Sequence, residues 1–586
     1  MELEKKDWTI IFLCIIIGFS FPFNIYLYDR NLRVINYWSH NYCWCCVSFV
    51  VGVENGPQDL DPMVAWDESS FAVQDQVCEG LFGYNLSDPN MNIIPKLARN
   101  FGVWEGKNYT VKLRDDVWFH DGTKFDASAA KWNYDRLSHF MINGLAKASE
   151  VLEYYNASSE SFQPIINHTE VIDEFTLKFV CNTPYGPFEA LLSFNGAYIL
   201  SPTSTPPNRP INTNTEDLVG TGPFVYDCYE KDVEVRFHAW DYYWQVRTYI
   251  DGMIFSVIKD SQIRSNALLS GDIDLLLNPM NSMIDIFESE PDVQVINAGS
   301  NVKIQYLGMN NRYINSTFRR AIAHTINSSY IIEELLEGKE VQIKSPVPKG
   351  ISYANWSYNF PEFNITKSRI IMQSMGFGVE WDPNYPGSNE SSWKASHFIH
   401  LNYSLGDFCN SNFKYQLFSL LLDDLALIGI ELDDDHIDWA EFNEEYELWY
   451  CYTADFALTL SRWFPDFNDP SNYINAMFTN KSLEHNKVNY NGYEAAKDAG
   501  RNPFNLWDNV QLLMEDALIE VNQSLRQKYY NRIQQLLVEE DIPWAYGVVD
   551  SNYDVWNIYV KGFPSNPMDK AYFYPCYWAD TALYAQ

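Results

Sequence analysis

Tyr109-Thr-Val-Lys-Leu-Arg-Asp-Asp-Val-Trp-Phe-His-Asp-Gly-Thr123 joins an alternating run of residues to a tight turn. The first six residues alternate between apolar and polar types, which is typical of a half-buried β-strand. His120-Asp121-Gly122-Thr123 forms a turn between two extended stretches. Upstream, the spacing of apolar residues predicts a helix over residues 69–81 that ends at Gly83. Strands and helices mixed in this way along the chain indicate α/β lobes.

A second stretch, Leu458-Thr-Leu-Ser-Arg-Trp-Phe-Pro-Asp-Phe-Asn-Asp-Pro470, reads as a short apolar strand that runs into a turn. An aromatic side chain, Trp463, precedes a carboxylate, Asp466, by three residues. This pair suits a ligand with a positive amine on a variable body, such as a free peptide N-terminus. Asp469 and Pro470 are predicted to begin a short helix, so Asp466 is not needed as its cap. Asp466 is therefore the candidate ligand carboxylate, and a turn-satisfying role is its alternative.

Length and charge limit the class of protein. A chain of 586 residues is too long for one core and is expected to form two or three lobes. Its 77 acidic and 41 basic residues give a net charge of −36. Such an acidic surface argues against nucleic acid as a partner and against binding of anionic lipid through the body of the protein.

The N-terminal residues 1–46 are predicted to be a membrane anchor or a signal segment. Trp8 through Tyr28 contains no charged residue and is long enough to span a bilayer. A cleaved signal peptide, with its apolar core at residues 10–17, is the alternative. Either outcome places the body at the cell surface, outside the cytoplasm. Asn-x-Ser/Thr sequons spread over the body predict a glycoprotein there; they begin at Asn85, Asn108, Asn156, Asn167, Asn315, Asn327, Asn355, Asn364, Asn389, Asn402, Asn480 and Asn522.

Short motifs between about residues 48 and 580 follow the order of one known family. They are Leu60-Asp61-Pro62, Glu79-Gly-Leu-Phe-Gly-Tyr84, Ile94-Pro95-x-Leu97-Ala98, Leu113 through Ala127, Val219-Gly-Thr-Gly-Pro223, Tyr243-Trp244, Ile250-Asp251, Ala267 through Asp274, Phe318 through Ile322, Pro346-Val-Pro348, Ile428-Gly-Ile430 and Trp463-x-x-Asp466 with Asp469-Pro470. With these motifs the chain resembles the extracellular solute-binding proteins of family 5, the peptide, dipeptide and nickel receptors of ABC importers.

The resemblance implies a two-lobed periplasmic-binding-protein-like α/β fold of class II. Lobe 1 is expected over residues 47–300, with an extra subdomain at about 69–184. Lobe 2 is expected over residues 301–545, and residues 546–586 return to lobe 1. Hinge crossings are expected near 301–306 and 543–548. In such a receptor the lobes close over the ligand, and an ABC permease with cytoplasmic ATPases reads the closed form.

The resemblance also assigns ligand contacts. It makes Asp466 the partner of the ligand α-amine and Trp463 an aromatic on the same segment. Trp439 matches a cleft-lining aromatic, for which a core position is the alternative, and Trp66 and Tyr546 are further matches. Oligopeptide receptors have an arginine three residues before the motif Trp, where this chain has a leucine. The partner of a ligand carboxylate is therefore unassigned.

No pattern of catalysis is present in the sequence. The G-x-S-x-G, H-E-x-x-H and Walker motifs are absent, and Cys43-Trp-Cys45-Cys46 has no second cysteine pair nearby that would complete a metal site. His397 and His400 lie three apart in a strand-like run, so they face opposite sides and cannot share a metal. No enzyme activity, cofactor or metal is predicted. The alternatives to a peptide receptor are an oligosaccharide receptor of the same fold, for which nineteen tryptophans supply stacking platforms, and a surface sensor without an importer.

Overall fold

The computed structural model describes residues 48–146, 152–156, 161–378, 399–405, 411–434, 457–480 and 488–579. The strands in chain order are β1 Phe49–Val53, β2 Phe82–Tyr84, β3 Ile93–Pro95, β4 Val103–Glu105, β5 Asn108–Lys112, β6 Glu153–Asn156, β7 Ser161–Pro164, β8 Ile166–Asp173, β9 Thr176–Cys181, β10 Phe224–Glu230, β11 Glu234–Ala239, β12 Gly252–Val257, β13 Leu275–Leu276, β14 Val293–Met309, β15 Glu340–Gln342, β16 Ile399–Leu405, β17 Ile430–Asp434, β18 Leu458–Trp463, β19 Trp544–Asn557, β20 Val560–Lys561 and β21 Tyr577–Trp578.

Helices alternate with these strands, as the mixed sequence pattern predicts. The α-helices are Glu68–Val77, Ala127–Ile142, Phe188–Leu191, Ser261–Ser270, Ile284–Ser289, Ser316–Thr325, Ser328–Tyr330, Ile365–Ser374, Ser411–Ala426, Ser471–Phe478, Gly492–Asp498, Val510–Ile519 and Gln523–Gln535. Short 3₁₀ turns are Asn195–Ala197, Asn281–Met283 and Leu506–Asp508, and π-helical turns are Ile331–Leu335 and Leu536–Asp541.

One sheet runs through both lobes. Its strand order is β10-β11-β12-β1-β13-β19-β14-β18-β16-β17, and β15 pairs with β19. The strands before β14 in the chain lie on one side of the long antiparallel pair β14 and β19, and β16 to β18 lie on the other side. The chain therefore passes between the lobes along two central strands, and the predicted two-lobed α/β fold is confirmed.

A separate four-stranded antiparallel sheet, β4-β5-β9-β8, lies within the part of the chain predicted to be an extra subdomain. The helix Ala127–Ile142 begins at Asp126, whose side chain accepts a hydrogen bond from the Ala129 N–H, and it packs near β8 and β9. The core between them is rich in aromatic side chains, including Tyr109, Phe140 and Phe179. This aromatic core packs the helix against the four-stranded sheet.

The Gly220-Thr-Gly222 turn is structural. A Cβ atom added at Gly220 would lie 2.1 Å from the Val77 carbonyl oxygen, because the turn passes directly over the end of a helix. The His120 Nε2–H donates a hydrogen bond to the Gly222 carbonyl oxygen at 2.9 Å, and the His120 ring contacts Trp240 edge-on. The motif therefore fastens a loop to a helix end instead of binding a phosphate.

Four of the sequon asparagines begin helices. The side chains of Asn315, Asn327, Asn364 and Asn522 each accept a hydrogen bond from the backbone N–H three residues later. At these positions the asparagine has a structural role as a helix cap. The apolar residues at 318, 322, 326, 331 and 335 predict one helix over residues 318–337 that stops at Gly338. In the structure Asn327 divides this helix into two, because it caps a second helical segment.

Pairing between β14 and β19 is interrupted close to the predicted hinge crossings. The register shifts between Asn297 and Gly299, the pairing stops after Ser300 opposite Ser551, and it resumes at Ile304 opposite Val549. Gly299 has φ of 88°, a left-handed conformation that lets the strand bend just before this interruption. Residues 301–303 lie inside the first predicted crossing, and the interruption on β19 lies just beyond the second.

Asp554, on the lobe 1 half of β19, is expected to make stability depend on pH. The pKa of this carboxyl is raised to about 7, chiefly by burial. A hydrogen bond with Ser565 lowers the pKa by a smaller amount, and the nearby charge of Asp569 raises it. An unfolded aspartate has a pKa of about 3.9. The folded protein therefore keeps a proton that the unfolded chain loses, so this stabilisation is full below about pH 4 and is lost as the pH rises through about 7.

Asp554→Asn is expected to remove that loss. At pH 8 the variant is expected to exceed the parent in free energy of unfolding by up to about 4 kcal/mol, and at pH 4 to match it. Urea unfolding at pH 4, 6 and 8 checks the result. A difference between the two proteins that does not change with pH would contradict the burial of a neutral carboxyl.

Within the residues that the structure describes, no helix is long and apolar enough to cross a bilayer. The stretch Trp8–Tyr28, which is predicted to be an anchor or a signal, lies outside those residues.

Candidate ligand-binding site

The segment predicted to bind the ligand begins on β18 in lobe 2. β18 pairs with β14 on one edge, where Trp463 lies opposite Ile304, and with β16 on the other. Leu458 and Leu460 are buried in the hydrophobic core on one face of the sheet. Trp463 is half-buried and packs against the hydrophobic core on the opposite face. The strand ends at Trp463, so Phe464 to Pro470 form the predicted turn.

Asp466 is held by the helix that follows it. The Asn472 amide nitrogen donates to the Asp466 Oδ2 at 2.8 Å, and the Asp466 backbone N–H donates to the Asn472 Oδ1 at 2.9 Å. Asp466 is half-buried and Asn472 is buried. These two hydrogen bonds fix the carboxylate within the turn. They also stabilise the turn itself, which is the alternative role predicted for Asp466.

Lys303 lies in the interruption of the pairing between β14 and β19. It contacts Glu68 in lobe 1 and Phe464 in the turn after β18 of lobe 2. Its ammonium is 2.8 Å from the Glu68 carboxylate of lobe 1 and 3.2 Å from that of Asp569. It also lies 5.5 Å from the ring centroid of Phe464, the exposed residue after Trp463. Burial lowers the pKa of Lys303, but the two carboxylates outweigh it and the net pKa is raised, so the lysine stays charged.

Trp66 lies on the lobe 1 side of this cluster. It is two residues before Glu68, its side chain is 44% exposed, and it meets Phe194 edge-on at a centroid distance of 6.0 Å. The Trp66 turn of lobe 1 and the Trp463 to Asp466 turn of lobe 2 therefore approach each other through Lys303. The structure brings these two predicted regions to the same junction.

The other two predicted residues are placed only in part. Tyr546 lies on β19 opposite Leu307, and Leu307 lies opposite Leu460 on β18. The backbone of Tyr546 is thus two strands away from the segment that carries Trp463. Trp439 lies outside the described residues, so its role stays a prediction. Among the described residues no group of three or more His, Cys, Asp or Glu side chains could hold a metal ion.

Comparison with known proteins identifies the family. The sequence profile for "Bacterial extracellular solute-binding proteins, family 5 Middle" matches residues 92–484, which is more than half of the chain. The chain belongs to this family. Its members are substrate-binding receptors outside the cytoplasm, so the protein is a family 5 solute-binding receptor and not an enzyme, as its motifs predict.

Individual relatives of this family 5 receptor are distant but cover most of it. "Heme-binding protein A" of Haemophilus influenzae is 22% identical over 550 residues, 90% of this chain and 91% of the relative. The "Dipeptide-binding protein" of Escherichia coli is 22% identical over 499 residues, 79% and 86% of the two chains. The periplasmic binding protein DppA of Helicobacter pylori, solved with the peptide STSA, superposes with a TM-score of 0.66 at 21% identity over 91% of this chain and 98% of its own.

The Asp469-Pro470 motif of the receptor is structural. The helix begins at Ser471, and the Asp469 side chain accepts a hydrogen bond from the Ser471 N–H at 2.9 Å. The same carboxylate forms a bidentate ion pair with Arg526, at 2.5 and 2.7 Å. Asp469 therefore joins two helices of lobe 2, whereas Asp466, three residues earlier, is hydrogen-bonded to Asn472.

Two residues of this junction were not predicted as site residues. Asn472 follows Asp466 by six residues, and the only signal for it is its place in the first turn of the predicted helix. Lys303 is the one basic residue in the predicted first crossing, residues 301–306. A cation at a hinge between two acidic lobes is a signal that charge patterning could have supplied.

Proposed function

We propose that this family 5 receptor captures oligopeptides or dipeptides and binds the ligand α-amine on Asp466. The observation that carries the proposal is the fixed carboxylate of Asp466 at the junction of the lobes, oriented by Asn472. A charge-assisted hydrogen bond from an ammonium to such a carboxylate is stronger than a neutral one. The name of the Escherichia coli relative and the peptide held by the Helicobacter pylori structure support the same ligand class.

Capture is proposed to proceed by closure of the lobes. The ligand binds one lobe first, and the second lobe swings over it about the interruption between β14 and β19. Backbone groups along an extended peptide supply affinity that tolerates sequence, while Trp463 and Trp66 offer aromatic walls to variable side chains. The closed form is then recognised by permease subunits in the membrane, which cytoplasmic ATPases drive.

The N-terminal stretch Trp8–Tyr28 is proposed to hold the receptor at the membrane unless it is removed as a signal. Lobe boundaries are proposed at residues 47–300, 301–545 and 546–586, with lobe 1 carrying the extra subdomain. Sequencing the N-terminus of the protein recovered from a washed membrane fraction tests the tether: an N-terminus upstream of Trp8 supports it, and one near residue 21 contradicts it.

An oligosaccharide is the competing ligand. Trp66 is 44% exposed and Phe464 is 42% exposed at the junction, and exposed aromatic faces also stack on sugars. A neutral sugar, however, has no need for the carboxylate of Asp466. The chemistry of the junction therefore favours a peptide.

Calorimetric titration of the full chain with di- to pentapeptides and with cello- and manno-oligosaccharides tests the proposal. Binding of an unblocked peptide, with no heat from the sugars, is the expected result. Sugar binding that persists in Asp466→Asn would overturn the amine-anchor assignment and identify the cleft as a stacking site. A sensor without an importer is distinguished by genetics, because genes for two permeases and two ATPases beside this one are expected only for transport.

A further inference from the structure

The turn that follows Asp466 leaves lobe 2 and enters lobe 1. Phe467 is buried in the core cluster of lobe 1, together with Met63, Phe82 and Phe194. In the other direction Tyr84 and Met91, from the β2–β3 hairpin of lobe 1, are buried in a core cluster of lobe 2. Each lobe thus inserts apolar side chains into the other directly beside the candidate ligand carboxylate.

Asn468 is the polar centre of this contact and is 1% exposed. Its backbone N–H donates to the Tyr84 hydroxyl oxygen at 3.1 Å, and its amide nitrogen lies 3.3 and 3.2 Å from the carbonyl oxygens of Asn90 and Met91 in lobe 1. The same amide nitrogen lies 3.3 Å from the Gly350 carbonyl oxygen of lobe 2, and its oxygen accepts from the Ser352 N–H at 3.2 Å. One side chain therefore joins segments of both lobes.

Two further observations mark this contact as a specific arrangement. Met91 has φ of 46°, a left-handed conformation that a methionine adopts only where its surroundings hold it. The Gly186 N–H of lobe 1 donates a hydrogen bond to the Leu518 carbonyl oxygen of lobe 2 at 2.6 Å. This hydrogen bond also joins the two lobes, and it does not involve Asn468. The two lobes are therefore hydrogen-bonded to each other at this edge of the cleft.

We propose that Asn468 is a positioning residue that couples closure of the lobes to the geometry of Asp466. This inference rests on the proposed role of Asp466 in binding an amine. Asp466 is fixed from lobe 2 by Asn472, while Phe467 and Asn468, the next two residues, are fixed from lobe 1. When the lobes separate, the contacts of Phe467 and Asn468 with lobe 1 break. The part of the turn that follows Asp466 is then no longer fixed. By linkage, amine binding at Asp466 and contact at Asn468 strengthen each other.

Asn468→Ala in the full chain is expected to weaken binding of the unblocked peptide Ser-Thr-Ser-Ala by about 5- to 150-fold, the usual range for coupling between two sites. Hydrogen exchange of the segment that contains Gly186 gives an independent readout, since its N–H bonds across the lobes without contacting Asn468. In the absence of peptide, the variant is expected to exchange this amide faster than the parent.

Asn472→Ala is the matched control. It removes the contact that orients Asp466 from within lobe 2, so it is expected to weaken peptide binding while leaving exchange at Gly186 at the parental rate. Tyr84→Phe is the milder second variant, because it removes only the hydroxyl that accepts the Asn468 N–H. Tyr84→Phe is expected to weaken peptide binding and to speed exchange at Gly186, as Asn468→Ala does. It replaces Asn468→Ala in both measurements if the alanine variant does not fold.

The failures are distinguishable. If Asp466→Asn leaves peptide binding unchanged while Asn468→Ala still speeds exchange at Gly186, the amine assignment fails, and with it the coupling. Parental exchange at Gly186 in folded Asn468→Ala and in Tyr84→Phe would overturn the contact between the lobes. Faster exchange with parental peptide affinity would overturn the coupling to Asp466.

Discussion

Asp466→Asn is expected to weaken binding of unblocked peptides by about 150- to 5,000-fold. Removing one partner of a buried ion pair costs about 3 to 5 kcal/mol, because the other charge stays desolvated, and that energy corresponds to the stated change in Kd. Asparagine keeps the shape of the side chain, and the backbone N–H of residue 466 still donates to Asn472. The loss is therefore expected in binding and not in folding.

Calorimetry with the parent and the variant measures this effect, and thermal unfolding of both checks that they fold alike. Asp135→Asn is the matched control, because it makes the same change at an exposed helix position whose partner is Lys131. It is expected to leave the peptide Kd unchanged. Equal peptide affinity of Asp466→Asn and the parent would show that the carboxylate does not bind the amine.

Arg526→Met is expected to lower the free energy of unfolding by about 3 to 5 kcal/mol. The Arg526 and Asp469 side chains are only 4% and 5% exposed, so the substitution leaves a carboxylate buried without its cation. Burial lowers the pKa of Arg526, but Asp469, Tyr530 and Tyr353 together raise it by more, so the arginine is charged in the folded protein. The guanidinium also donates to the Ala517 carbonyl oxygen at 2.9 Å, which ties two helices of lobe 2 together.

Urea unfolding of Arg526→Met, of Asp469→Asn and of the double variant separates the ion pair from the lost packing. The double variant is expected to recover part of the stability, because it contains no unpaired charge. Arg532→Met removes a more exposed arginine, 3.3 Å from Glu540, and is expected to cost about 1 kcal/mol or less. A loss in Arg526→Met no larger than that in Arg532→Met would contradict the account of the buried pair.

Local patterns predicted the strand and the turn on which Trp463 and Asp466 lie, and the family resemblance predicted the two-lobed fold. The strand that ends at Trp463 and the turn that carries Asp466 follow from the alternation of residues and from two prolines, both of which are local in the sequence. The order of motifs supplied the two lobes. The helix predicted over residues 318–337 was wrong in its continuity, because a capping asparagine outweighs the apolar spacing at that point.

The contacts that join the lobes could not be predicted from one sequence. Asn468 bonds to Tyr84 across 384 residues, and Lys303 pairs with Asp569 across 266. No periodicity or motif spacing in the sequence indicates either pair. Each pair forms only because the two lobes face each other after they have folded. Polar residues in a predicted ligand turn look alike in sequence, although Asp466, Asn468 and Asp469 have three different surroundings in the structure.

Titration of the full chain with one peptide in two forms, unblocked and N-acetylated, tests the central claim most directly. Acetylation removes the charge of the amine and leaves the rest of the peptide unchanged. We expect the unblocked peptide to bind and the acetylated one to bind at least about 100-fold more weakly, because acetylation removes one partner of a buried charge pair. Equal affinity for the two forms would contradict an α-amine held by Asp466.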